Sequence, residues 1–190
     1  QWSNDRNAIP ALSQLCLASV RPEVRVQALS TWANLEPPAA EVILKMLTDS
    51  DAHVRSHAVR VAESQLKTSA ELTAAVIKAA DDGDAFLRMQ VAYSAGFLKP
   101  TDSAAVLAKV LAKDGGNGHL KSAVESSLTS ANVVQVLNEL RAQPDHDDAA
   151  HRLLVSAATL ADPQSHATIL KELSSQVSES AAAEHFSRLA

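Results

Sequence analysis

One short motif returns along this chain at a nearly fixed interval. It reads Arg21-Pro22-Glu23-Val24-Arg25-Val26-Gln27-Ala28, then Asp51-Ala52-His53-Val54-Arg55-Ser56-His57-Ala58, then Asp84-Ala85-Phe86-Leu87-Arg88-Met89-Gln90-Val91. The copies start about 30 and then about 33 residues apart, the length of one helical hairpin. A weaker fourth copy, Asn117-Gly118-His119-Leu120-Lys121, follows at the same interval, and Asp148 to Arg152 reads as a degenerate fifth. A unit this short cannot bury an apolar face alone, so the repeat itself demands that neighbouring units stack.

Each copy has the same physical grammar. An Asp or Asn stands where a helix N-cap belongs, or Pro22 stands one residue inside the helix, and an apolar residue followed at once by a cation comes next. Apolar positions then recur at helical spacing: Val24, Ala28, Trp32 and Leu35; Val54, Ala58 and Ala62; Leu87, Val91, Ala95 and Leu98. Partner helices between them carry Ile9, Leu12 and Leu15; Val42, Ile43, Met46 and Leu47; Leu72, Val76 and Ile77; and Val106, Val110 and Leu111. Pro37-Pro38, Asp81-Asp82-Gly83, Pro100 and Asp114-Gly115-Gly116 break the pattern where turns are required.

No segment sustains period-two alternation, and aromatics at 3% with only five glycines exclude a typical sandwich or barrel. The sequence therefore predicts an all-α fold, an α-solenoid of stacked antiparallel helix pairs. It is expected to run as a single domain over 1–190 with about five to six hairpins, clear over 5–130 and degenerate over 131–190. Val24, Ala28, Trp32, Val54, Ala58, Leu87 and Val91 are its expected core.

A net charge of −5 gives no electrostatic reason to expect nucleic acid or an anionic membrane surface as partner, and no apolar run is long enough for membrane insertion. The opening at Gln1, with patterned helix from Trp2 onward, reads as a piece of a longer chain. Cys16 has no second cysteine to pair with and sits among leucines, which predicts a buried small hydrophobe.

Asp51/Val54/Arg55 and, with Leu for Val, Asp84/Leu87/Arg88 resemble the Asp-x-x-Val-Arg entry into the second helix of the HEAT-repeat family. A narrower resemblance rests on His57-Ala58-Val59-Arg60-Val61-Ala62-Glu63, on Arg88-Met89-Gln90-Val91-Ala92-Tyr93-Ser94, and on Asn4 to Leu12. It is to the HEAT segment of large exported bacterial proteins that join a sugar-dehydrogenase-like propeller, a HEAT array and a c-type cytochrome domain. That resemblance implies an exported or periplasmic spacer or docking platform, with the dehydrogenase and haem chemistry carried by other domains. This segment has no Cys-x-x-Cys-His of its own for haem attachment. HEAT-like di-iron hydroxylases carry His-Glu pairs, and here only the reversed Glu184-His185 occurs.

Arg25, Arg55, Arg88 and Lys121 recur once per unit beside the capping Asp51 and Asp84. They read as a structural ladder, because a planar guanidinium can bond a carboxylate and loop carbonyls together. His53 and His57 stand four apart on one helix, a spacing that can hold zinc, but two ligands are not a site. His146-Asp147-Asp148-Ala149-Ala150-His151 reads as an acidic helix start. No catalytic fingerprint occurs, and Gly115-Gly116-Asn117-Gly118 lacks the Lys of a phosphate loop.

The remaining anomaly is a second apolar stripe on the third unit: Phe86, Met89, Tyr93 and Phe97 lie on the face opposite Leu87 and Val91 and hold three of the chain's six aromatics. Beside it, the equivalent column of the preceding helix is His53, Ser56, Arg60 and Ser64. The reading that follows is a non-catalytic interaction scaffold that binds a protein partner or a neighbouring domain of its own chain and uses no cofactor or metal. A HEAT-like enzyme, of DNA-glycosylase or chromophore-lyase type, and a His-based metal module are its alternatives.

Overall fold

The computed structural model describes residues 5–142, 147–171 and 174. Among these every regular element is helical: α1 (Ile9–Ala18), α2 (Pro22–Leu35), α3 (Ala40–Met46), α4 (Ala52–Ala62), α5 (Ala70–Ala79), α6 (Ala85–Ser94), α7 (Pro100–Asp114), α8 (Gly118–Ser126), α9 (Val133–Arg141) and α10 (Asp147–Leu160). A further helix covers 163–171. The fold is all-α. The described residues fall into two compact units, divided between Ser127 and Leu128.

The helix starts follow from local chemistry. Asp51 accepts hydrogen bonds from the backbone N–H of His53 and Val54, Asp84 from that of Leu87, and Asn117 from those of His119 and Leu120. Each satisfies N–H groups that the first helical turn leaves without a partner. Arg21 makes no such side-chain cap, and the ring of Pro22 presets the first turn of α2 in its place.

In the first unit α2 packs on α4, α4 on α6 and α6 on α8, while α1, α3 and α5 make a second row, α1 on α3 and α3 on α5. Ala58 and Ala62 of α4 and Ala92 of α6 are wholly buried, and such short side chains let neighbouring helices approach closely. Leu29 and Trp32, Ile43 and Met46, Val54 and Val59, Leu72 and Val76, Leu87 and Val91, and Leu107 and Val110 fill the space between rows.

Val24 departs from its expected burial and is only half-buried. Among the described residues α2 has an equivalent helix, α4, on one side only, so the apolar position facing the other way stays accessible. The same cause acts on α1. Leu12 is half-buried, Leu15 and Leu17 are exposed, and Cys16 alone in that helix is buried.

The second unit is built the same way on a smaller scale. Val133, Val136, Leu137 and Leu140 of α9 are buried, as are Leu153, Leu154 and Ala157 of α10, which packs on it. Asp162 caps the helix at 163–171 through the N–H groups of Gln164 and Ser165.

Candidate functional site

The arginines form a continuous ladder, but its carboxylates are not the capping ones. Arg25 donates to the Ser19 carbonyl (2.9 Å) and to Asp49 (2.7 Å). Arg55 donates to the Asp49 carbonyl (2.9 Å) and grips Asp82 through Nε and Nη2 (3.1 and 2.9 Å). Arg88 donates to the Asp82 carbonyl and grips Asp114, all at 2.6 Å. Asp49 and Asp82 thus each join two units, taking one arginine on the side chain and the next on the backbone carbonyl. Each also accepts from the N–H of the capping residue two positions on, Asp51 or Asp84.

Asp82 is held below the ordinary carboxylate range. Desolvation by burial acts to raise its pKa, and the hydrogen bonds from Arg55 and the Asp84 N–H, with the charges of Arg55 and Arg88, outweigh it.

Lys121 does not continue the series. It pairs with Glu125 one turn along its own helix at 3.6 Å, with both side chains about 40% exposed. A lysine lacks the planar fork with which the three arginines take a carboxylate and a loop carbonyl together. The ladder is internal mortar, since its arginines and aspartates are turned on one another, although Arg25, the first rung, keeps a buried Nε without a hydrogen-bond partner.

His53 and His57 turn to different partners. The ring of His53 lies 5.5 Å from that of Phe86, tilted by 60°, and His57 Nε2 shares a 2.7 Å hydrogen bond with Ser30 Oγ. Burial and then the neighbouring charge of Arg60 push the His57 imidazole below its ordinary pKa. Among the described residues no group of three or more His, Cys, Asp or Glu is arranged to hold a metal ion. His146 and the Glu184-His185 pair lie outside the described residues. Asp147, Asp148, His151 and Arg152 fall on α10 with side chains outside the description.

The stripe on α6 divides from the core as its spacing predicts. Leu87, Val91 and Ala92 are wholly buried, while Phe86, Tyr93 and Phe97 are 52, 45 and 44% exposed and Met89 is half-buried. The backbone that carries the stripe is pinned from behind, because Ser127 Oγ donates to the carbonyls of Ala92 (2.7 Å) and Tyr93 (3.2 Å). Ser94 donates across to Glu63 (2.7 Å), tying α6 to the short turn that follows α4.

Where α2, α4 and the Ala95–Phe97 turn meet, the surface dips into an open groove of about 460 Å³ whose lining includes Ser30, Asn34, His57, Arg60, Glu63 and Phe97. Arg60 is exposed, as its place in the polar column suggests. The stripe and this groove adjoin through Phe97. Sequence reasoning finds Arg60 and the four stripe residues, and it misses Ser30 and Asn34, one turn apart on α2, and Glu63 in the turn after α4, which only packing between helices brings beside Arg60. It also passes over Asp49, Asp82 and Asp114, although Asp49-Ser50-Asp51 and Asp82-Gly83-Asp84 repeat in register.

Among the described residues no helix is long and apolar enough to cross a membrane. Compared with models of known families, with curated proteins and with solved structures, the chain matches none.

Proposed function

We propose that this chain is a HEAT-type α-solenoid that acts as a non-catalytic interaction module, holding a protein partner or a neighbouring domain of its parent chain on the face carried by α2, α4 and α6. The order in which α2, α4, α6 and α8 pack, and the arginine–aspartate ties between successive units, support the solenoid reading. The observation that carries the function is the exposure of Phe86 and Tyr93 on α6, whose other face is packed, and of Phe97 in the turn that follows it. Large aromatics on a rigid backing bring much apolar contact area and little conformational entropy to lose, and such residues dominate interface energies.

Selection of displayed peptides on the intact chain tests this reading. Enriched sequences should lose at least tenfold in affinity, about 1.4 kcal/mol, for the Phe86→Ala/Tyr93→Ala double variant. Enriched sequences that bind this variant as well as the parent protein would place recognition elsewhere and overturn it.

A further inference from the structure

The groove beside Phe97 presents a guanidinium without a partner among the described residues, on a chain of net charge −5. The groove's lining holds one cation, Arg60, and one carboxylate, Glu63, which accepts from Ser94 Oγ. Arg60 makes no hydrogen bond or ion pair among the described residues, and Glu63, three positions on, does not pair with it. An accessible guanidinium, a half-buried imidazole fixed by Ser30 and an exposed phenyl ring therefore share one concavity.

We propose that this groove binds an extended acidic segment of a partner protein, seating one carboxylate side chain on Arg60 and an adjacent apolar side chain on Phe97. The inference rests on the reading of this face as a partner surface and adds the chemistry of what it takes. A guanidinium fork matches a carboxylate with two parallel hydrogen bonds, and the Asn34 amide lies in the same lining. The volume suits one or two side chains. Continuity with Tyr93 and Phe86 gives the same segment apolar contacts beyond the groove, which an isolated small anion does not use. A polyanion fits poorly, because nucleic-acid binding needs several cations along one face and here Arg60 stands alone on a chain of net negative charge.

The test uses the full chain, labelled for amide NMR, and a fluorescein-labelled eight-residue peptide of alternating leucine and glutamate, alongside its twin with glutamine for glutamate. The expected result is shifts confined to residues 30–34, 57–64 and 86–97, binding about tenfold weaker for the glutamine twin, and loss of that preference in Arg60→Gln. Arg60 is exposed, so the variant should fold, and an unchanged melting curve verifies it. Equal affinity of the two peptides at the same amides, or a preference that survives Arg60→Gln, overturns the acidic specificity and leaves the partner surface standing. Shifts elsewhere, or no binding of either peptide at millimolar concentration, overturn both.

Discussion

Arg88 holds the carboxylate of Asp114 through two hydrogen bonds of 2.6 Å, and the two side chains keep only 6% and 12% of their surface in solvent. A pair this dry is set by what happens when one partner goes. Asp114→Ala leaves the guanidinium with the Asp82 carbonyl alone and should destabilise the fold by about 3–5 kcal/mol in urea denaturation. The double change Arg88→Met/Asp114→Leu should recover most of that loss, because no buried charge remains. A loss below about 1 kcal/mol for the single variant would mean that the rung is only decoration.

The ladder also makes stability depend on pH in a defined direction. The folded-state pKa of Asp82 lies below its unfolded value despite burial, owing to Arg55, the Asp84 N–H and Arg88. A depressed carboxylate pKa contributes stability that is complete above the unfolded value, about 3.9, and is lost as pH falls through the folded value. The urea midpoint should therefore drop as pH is lowered below about 4, and Asp82→Asn should lower the midpoint at neutral pH and flatten that acid limb. An acid limb of the same depth in the variant would assign the effect to other carboxylates.

What could be read beforehand was whatever lies within one helix. The caps Asp51, Asp84 and Asn117, the buried stripes Val54-Ala58-Ala62 and Leu87-Val91, and the outward stripe from Phe86 to Phe97 each follow from spacing along one stretch of chain. Partners about 27 residues apart did not declare themselves. The Asp82 carboxylate reaches back to Arg55 of the preceding unit, and Ser30 meets His57, because register between stacked helices decides those pairs. Val24 shows a third limit: the motif marks it as core exactly as it marks Val54, but burial depends on whether a helix lies on each side.

Cys16 reports on how firmly α1 is attached. Burial outweighs its hydrogen bonding and pushes its thiol up to about 11, so at pH 7.5 the reactive thiolate is roughly a thousandth or less of the population. Native protein should react with a disulfide reagent far more slowly than protein in strong denaturant. Because Cys16 is the one buried residue of α1, local release of that helix should let reagent in before global unfolding does. Protection equal to the full unfolding free energy would show α1 to be part of the cooperative core, and rapid labelling at native conditions would show that the thiol is not buried.

The aromatics divide into two kinds, and paired truncations separate them. Trp32 is 5% exposed between α2 and its neighbours, so Trp32→Ala opens a cavity and should cost about 3–5 kcal/mol. Phe86 and Tyr93 project from the opposite face of α6, where truncation removes little buried contact, and each alanine variant should stay within about 1 kcal/mol of the parent. Residues retained for folding cannot show that pattern, since a large aromatic that supports the core must lose packing when it is cut back. Urea denaturation of the three variants decides the matter. Losses of 3 kcal/mol or more for Phe86→Ala and Tyr93→Ala would reassign the stripe to packing within the array and withdraw it as a surface for a partner.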